Sequence, residues 1–89
     1  MRVAVRYVAQ ARHAAGVLAE EVELDRPCTV EEFVVRLADR REALRPLLVA
    51  DGGGVRPTVL LFVGEEQVEP RRALRDGDVV TVLSPMAGG

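Results

Sequence analysis

The sequence is poor in cysteine and aromatic residues, and it contains no lysine and no tryptophan. Its single cysteine, Cys28, excludes an internal disulfide framework and a metal site built from several cysteines. The only aromatic residues are Tyr7, Phe33 and Phe62, so the core of the folded chain must consist mainly of valine, leucine and alanine. All twelve basic residues are arginine, and the chain therefore offers no lysine amine that could accept an isopeptide bond.

Charge and hydropathy argue against two further classes of protein. The net charge at pH 7 is −2, whereas a dedicated nucleic-acid-binding domain usually has a basic face with stacking aromatic residues. The apolar runs, such as Val59–Val63, are far too short to span a bilayer. Residues 1–6 alternate in polarity instead of forming the apolar block of a signal peptide. We expect a cytoplasmic protein with one small domain, as 89 residues suggest.

Two stretches near the N-terminus alternate with the period of a β-strand. Residues 2–8 alternate clearly and residues 19–24 weakly, which predicts an antiparallel pair joined by a short helical turn in residues 9–16. Val8 falls on the face opposite the core. The predicted inward positions are Val3, Val5, Tyr7, Val22 and Leu24.

The main helix is predicted at residues 30–41 by the capping box Thr29-x-x-Glu32, followed by apolar residues at i, i+3, i+4 and i+7. Cys28 precedes the cap and, with Phe33, occupies the positions of a hydrophobic staple. A thiol near a helix N-terminus can have a lowered pKa, which would suit a reactive thiolate or a persulfide carrier. Because Cys28 has no neighbouring base in the sequence, we favour the structural role. His13 also lacks a second ligand or nucleophile nearby, and we expect a surface histidine.

Three strands are predicted in the C-terminal half. Residues 57–63 are apolar on both faces and predict an interior strand, followed by a short return strand at residues 67–68. The turn Asp76-Gly77-Asp78 precedes the last strand, residues 79–83. The order β-β-α-β-β-β predicts an α+β domain at residues 1–83, with a mixed sheet of four to five strands and one main helix packed on one face.

The outward residues of these strands define a candidate docking face. In the last strand Val80 and Val82 should point inward, which leaves Leu83 outward beside Val8. In residues 57–63 we place Leu60 and Phe62 in the core and Leu61 outside. Small monomeric proteins seldom expose a contiguous apolar patch without a use. We therefore predict that Val8, Leu61 and Leu83 contact a partner.

The last six residues, 84–89, predict a flexible tail that ends in Gly88-Gly89. A terminal carboxylate on two glycines has no neighbouring side chain to shield it, so it could thread a narrow channel. Fully extended, six residues reach roughly 20 Å. The tail could therefore carry a carboxylate from the folded body into the active site of another protein.

Several motifs distributed along the chain carry a family resemblance. They are Tyr7-Val8-Ala9-Gln10 with Arg12 and Gly16, the Thr29-Val30 helix start, Leu74-x-Asp76-Gly77-Asp78-Val79, and Pro85-Met86-Ala87-Gly88-Gly89. On these motifs the chain resembles the ubiquitin-like β-grasp sulfur-carrier family, and within it the small subunits of molybdopterin synthase. The resemblance implies a β-grasp fold.

The resemblance also implies a carrier cycle that centres on Gly89. An E1-like partner would use ATP and magnesium to adenylate the Gly89 carboxylate, and a sulfur donor protein would convert it to a thiocarboxylate. The carrier would then deliver its sulfur to an acceptor enzyme such as the large subunit of molybdopterin synthase. Pro85, Met86, Ala87 and Gly88 would thread the partner's site. This chain would act as the sulfur-donating subunit or co-substrate of such an enzyme, and we expect it to bind no cofactor, metal, nucleic acid or membrane. The sequence shows no Ser/His/Asp set, carboxylate pair or metal cluster that could form an autonomous active site.

Alternatives remain at two levels. Ser84-Pro85 stands where molybdopterin carriers often have two prolines, and the loop at residues 50–56 is long, as in sulfur carriers of cysteine biosynthesis. The receiving pathway could therefore be that of cysteine, thiamine or a specialised metabolite. A different class of function is a ubiquitin-like modifier that joins Gly89 to other proteins. The third alternative is a β-grasp interaction domain with an incidental Gly-Gly end.

Overall fold

The computed structural model describes residues 1–84 of the chain. The strands are β1 (Arg2–Ala9), β2 (Ala19–Glu23), β3 (Leu60–Val63), β4 (Glu66–Gln67) and β5 (Val79–Ser84). The helices are α1 (Gln10–Ala15), α2 (Val30–Arg40) and α3 (Arg45–Leu48), and a turn of 3-10 helix (Glu42–Leu44) precedes α3. Within this described part of the chain, no helix is long and apolar enough to cross a membrane.

The five strands form one mixed sheet with the order β2-β1-β5-β3-β4. The first and last strands, β1 and β5, are parallel neighbours in its centre, while β2, β3 and β4 are each antiparallel to their neighbours. The predicted N-terminal pair and the interior position of β3 are therefore confirmed. Because β5 is central, its end lies between two other strands and not at an edge of the sheet.

Helix α2 begins as the capping box predicted. The Glu32 N–H donates to Thr29 Oγ1 at 3.1 Å, and the Thr29 N–H donates to Glu32 Oε1 at 2.8 Å. The hydrogen bond from the Thr29 N–H is the main reason that the pKa of Glu32 is lowered. The buried face of α2 and the inward residues of the sheet belong to one apolar core. That face consists of Val30, Phe33, Val34, Leu37 and Ala38.

Backbone carbonyls of the loop before β5 accept hydrogen bonds from the first two backbone N–H groups of α2. The Val30 N–H donates to the Arg72 carbonyl at 2.8 Å, and the Glu31 N–H donates to the Pro70 carbonyl at 3.0 Å. The first N–H groups of a helix have no partner within the helix. The loop therefore joins the start of α2 to the segment that leads into β5.

The predicted register of β3 is wrong by one residue. Leu61 is 3% exposed and lies in the core, whereas Leu60 is 37% exposed and Phe62 is half-buried. The reason is the pairing with β5, which places Leu61 opposite the fully buried Val82. Residues opposite each other in neighbouring strands share a face, so β5 determines which side of β3 is buried.

A polar cluster joins the N-terminal hairpin to the end of α2. The Tyr7 hydroxyl donates to Glu20 Oε2 at 2.7 Å, and Arg41 donates from Nε and Nη2 to the two Glu20 oxygens at 2.9 and 3.1 Å. Arg41 also donates to the Ala15 carbonyl, at the end of α1. The Arg41 hydrogen bonds are the main reason that the pKa of Glu20 is lowered. Burial is the main reason that the pKa of Tyr7 is raised, and the hydrogen bond to Glu20 and the negative charge of Glu20 raise it further.

The variant Glu20→Gln is expected to lower the free energy of unfolding by about 1–3 kcal/mol near pH 7, because it removes a half-buried charged acceptor. A carboxylate whose pKa is lower in the folded state stabilises that state above its unfolded pKa of about 4.3. The stabilisation disappears as pH falls through the folded pKa. The difference between Glu20→Gln and the wild type should therefore be smaller below about pH 4 than near pH 7.

Urea unfolding at both pH values measures this difference. The matched control is Glu21→Gln on the neighbouring residue, whose side chain is 68% exposed and lies 4.0 Å from the Arg2 guanidinium. Exposed ion pairs contribute little, so we expect a change below about 0.5 kcal/mol for the control. Equal destabilisation by both variants at both pH values would contradict the role of Glu20.

Candidate functional site at the end of the last strand

The candidate site begins where β5 ends. Ser84 is the last residue of β5, pairs with Ala9 of β1 and is only 4% exposed. The predicted boundary of the tail therefore moves by one residue, because Ser84 belongs to the sheet. The other predicted tail residues lie outside the described part of the chain; they are Pro85, Met86, Ala87, Gly88 and Gly89.

The predicted Asp76-Gly77-Asp78 turn is present immediately before β5, and it is held by hydrogen bonds to a carboxylate. Asp78 Oδ2 accepts from the Arg75 N–H and from the Arg72 guanidinium, both at 2.8 Å. Burial alone would raise the pKa of Asp78, but these two hydrogen bonds, together with the positive charges of Arg72 and Arg75, outweigh burial and lower that pKa. Gly77 has a φ of 87°, a conformation that glycine adopts without strain.

The same turn aligns β5 with β1. The Gly77 N–H donates to the Arg2 carbonyl at 2.8 Å, and the Arg2 N–H donates to Asp76 Oδ1 at 2.8 Å. These bonds lie at the start of the parallel ladder that places Leu83 opposite Val8 at its far end. The turn therefore contributes to the position at which the chain leaves the sheet.

An apolar patch lies on the open face of the sheet beside that position. Leu83 of β5 is paired with Val8 of β1 on one side and with Leu60 of β3 on the other. Val8 is 38% exposed and Leu60 is 37% exposed, while Leu83 and Phe62 are half-buried. We call these four residues, Val8, Leu60, Phe62 and Leu83, the tail-side patch.

Two of the three predicted docking residues therefore lie on the expected face. The outward placement of Val8 and Leu83 is confirmed, whereas Leu61 lies in the core and cannot contact a partner. Leu60 occupies the position that we assigned to Leu61. Phe62 also lies on the open face, and sequence reasoning missed it. No signal within residues 57–63 could have placed it there, because Leu60, Leu61 and Phe62 are all apolar and only the pairing with β5 determines the register.

Helix α1 follows directly from the residue that pairs with the end of β5. Ala9 has φ 60° and ψ −129°, and among residues 1–84 it is the only residue other than glycine with a positive φ. This conformation is strained for a residue with a Cβ atom. It turns the chain abruptly from β1 into α1, and Gly16, with a φ of 77°, ends that helix.

Replacing Ala9 by glycine is expected to stabilise the fold by about 1 kcal/mol, because the relief of strain exceeds the entropic cost of glycine. Thermal or urea unfolding measures the change. Ala19→Gly is the control, since Ala19 lies in a strand and is not among the positive-φ residues. Glycine should destabilise the protein there. A loss of stability in both variants would show that Ala9 is not strained.

The two reactive side chains considered in the sequence analysis do not join the site. Cys28 is only 6% exposed, and burial raises the pKa of its thiol, the opposite of what a reactive thiolate requires. Its predicted structural role agrees with this burial. His13 is exposed on α1. In the part of the chain that the structure describes, no group of three or more His, Cys, Asp or Glu residues could hold a metal ion.

Comparison with known proteins identifies the family. The family model described as "ThiS family" matches residues 5–89. The molybdopterin synthase sulfur carrier subunit of Chlamydomonas reinhardtii is 30% identical over 91 residues, which span all of both chains. A solved structure of the putative molybdopterin converting factor, subunit 1, from Pyrococcus furiosus is 29% identical with a TM-score of 0.78 and covers 97% of this chain and 99% of that chain.

Two other solved structures have the same fold. SAMP1 from Haloferax volcanii has a TM-score of 0.88 at 21% identity, with full coverage of both chains. The BexX/CysO complex of Amycolatopsis orientalis contains a chain with a TM-score of 0.70 at 25% identity; the match covers 98% of this chain and 99% of that one. The resemblance seen in the sequence is thus confirmed. The chain belongs to the ThiS family of sulfur carriers, and its fold is the ubiquitin-like β-grasp.

Proposed function

We propose that this protein carries sulfur as a thiocarboxylate on Gly89 and donates it in the biosynthesis of molybdopterin. The observation that carries the proposal is the position of Ser84, the last residue of a central strand and a neighbour of the tail-side patch. The five residues from Pro85 to Gly89 reach about 17 Å when extended. A partner seated on the patch can therefore receive Gly89 in a site of its own.

The chemistry requires activation by a partner. A carboxylate is a poor electrophile, because its oxygen is a poor leaving group. In the proposed cycle, a Gly89 carboxylate oxygen attacks the α-phosphorus of ATP and pyrophosphate leaves, which gives an acyl-adenylate. The outer sulfur of a persulfide on the donor protein then attacks the carbonyl carbon, and AMP departs with the bonding electron pair. A thiol next attacks the donor's sulfur in the resulting acyl disulfide, so that the thiocarboxylate leaves and a disulfide remains on the donor. The E1-like enzyme holds the ATP and magnesium, and this chain presents the carbonyl.

The receiving pathway is supported by two relatives. Both the Chlamydomonas reinhardtii subunit and the Pyrococcus furiosus protein have names that refer to molybdopterin. The Amycolatopsis orientalis BexX/CysO complex pairs a chain of this fold with another protein, which supports an acceptor partner for this chain as well. We therefore propose the large subunit of molybdopterin synthase as the acceptor. Sulfur transfer to cysteine, thiamine or a specialised metabolite is the alternative.

Intact-mass measurement of the protein purified from its own host tests the central step. The expected result is a mass gain equal to the replacement of one oxygen by sulfur, lost on treatment with the acceptor enzyme together with the substrate that receives the sulfur. Gly-Gly remnants on lysines of other host proteins, without any thiocarboxylate, would instead support the protein modifier. An unmodified carboxylate and no remnants under all growth conditions would support neither.

Deletion of the gene in the host tests the pathway. Loss of molybdenum-dependent enzyme activities, restored by the intact gene, is the expected result. A growth requirement for cysteine or thiamine, with normal molybdenum enzymes, would identify the alternative pathway and leave the sulfur-carrier chemistry in place.

A further inference from the structure

Arg6 is a cation on the open face beside the tail-side patch. It lies two residues before Val8 in β1, so the two side chains point to the same face about 7 Å apart along the strand. Its partner in β5 is Thr81, and Thr81 is in turn paired with Phe62 of β3. Because neighbouring strands are about 4.8 Å apart, Arg6 lies within about 10 Å of Phe62.

The two outward arginines of β1 have different surroundings. Arg2 forms ion pairs with Glu21 and Glu23 of β2, at 4.0 and 3.7 Å. Arg6 is paired in β2 with Ala19, which has no charge to offer. Within residues 1–84, Arg6 takes part in no ion pair. The positive charge of Arg2 is therefore balanced by carboxylates of the neighbouring strand, whereas Arg6 is exposed and has no such partner among residues 1–84.

A partner that covers the tail-side patch must also cover Arg6. A stable protein interface buries about 800 Å² on each partner, which extends well beyond a few neighbouring side chains. Burial of an unpaired charge is costly, and a complementary charge across the interface removes much of that cost. Arg6 therefore restricts which partner surfaces can bind.

We propose that Arg6 selects partner proteins that place a carboxylate opposite it, inside an otherwise apolar contact with the tail-side patch. The proposal rests on the proposed function, because it assigns the chemistry of the surface on which the carrier docks. The guanidinium fork can bind both oxygens of one carboxylate. An apolar partner surface without an acidic group would leave Arg6 desolvated and would bind weakly.

The test measures the affinity of the carrier for two probes, the host's E1-like adenylating enzyme and its molybdopterin synthase large subunit. Arg6→Gln is expected to weaken binding at least about 10-fold, and Arg6→Glu to weaken it further. The matched control is Arg36→Gln, an exposed arginine on α2, for which we expect a change of less than about twofold. Thermal unfolding of each variant verifies that the fold is intact.

Two further measurements identify the charge on the partner. The wild type should lose affinity with rising salt more steeply than Arg6→Gln, and one Asp→Arg or Glu→Arg change on the partner should restore binding to Arg6→Glu. Binding of Arg6→Gln within about twofold of the wild type would overturn the inference alone. A second contrary outcome is that Arg6→Gln binds more weakly but has the same salt dependence as the wild type, and that no charge reversal on the partner restores binding to Arg6→Glu. Arg6 would then donate to carbonyl groups of the partner and not to a carboxylate, which also overturns the inference. Failure of the wild type to bind either probe would overturn the proposed function and the inference together.

Discussion

A chain that lacks Gly89 is expected to fold like the full-length protein and to yield almost no thiocarboxylate. Within residues 1–84 the buried apolar core extends from Val3 to Val82, and the deleted residue is a glycine, which has no side chain to contribute to such a core. It moves the terminal carboxyl by one residue, about 3.5 Å, away from the groups that would activate it. A misplacement of about 1 Å can reduce a rate 100-fold, so we expect less than about 1% of the wild-type yield.

Mass spectrometry after incubation with the adenylating enzyme, ATP, magnesium and the sulfur donor measures the yield. A second variant with one alanine added after Gly89 should fail equally, because its terminal carboxylate no longer belongs to Gly89. Pyrophosphate release locates the failure at adenylation or at sulfur transfer. Superimposable unfolding curves for the three chains are the control for folding. A normal thiocarboxylate yield from the shortened chain would disprove the role assigned to Gly89.

Adjacent leucines in β3 are expected to respond in opposite ways to the same substitution. Leu61→Asp should prevent folding, since it places an unpaired charge in the core opposite Val82. Its cost, more than about 4 kcal/mol, is close to the whole stability of a small domain. Leu60→Asp lies on the open face and should cost about 1 kcal/mol or less.

The folded variant should nevertheless bind its partner poorly. A charge at Leu60 lies directly beside Leu83, the centre of the tail-side patch, and central apolar residues carry most of the affinity of an interface. We expect affinity for the adenylating enzyme to fall at least about 10-fold, and the same for Leu83→Asp, whose side chain is the neighbour of Leu60 across the sheet. Circular dichroism and titration calorimetry measure the two effects. A folded Leu61→Asp, or an unfolded Leu60→Asp, would mean that the register of β3 is incorrect.

Much of the architecture could be predicted from local sequence patterns. The capping box at Thr29 and Glu32 predicted the start of α2 to the residue, because both of its hydrogen bonds are made within four residues of chain. Residues 2–8 alternate strongly enough to place Val8 on the open face. The Asp76-Gly77-Asp78 turn and the Gly88-Gly89 end were sufficient to recognise the family.

The register of β3 could not be predicted from the sequence, because Leu60, Leu61 and Phe62 are all apolar and each is suited to a buried position. Only the pairing with β5, about twenty residues later in the sequence, decides that Leu61 is inside. The same long-range pairing brings Leu60 to Leu83 and Phe62 to the row of Arg6. It thereby determines the composition of the candidate docking face.

The sequence by itself determined the elements whose signals are local: the capped helix, the alternating first strand and the glycine turn before β5. The tertiary structure decided which residues meet across the sheet. It left Arg2 with two glutamates and Arg6 with alanine and threonine, and it joined Tyr7, Glu20 and Arg41 from three separate segments. Such contacts depend on the strand order and register of the whole sheet, and no period within one segment contains that information.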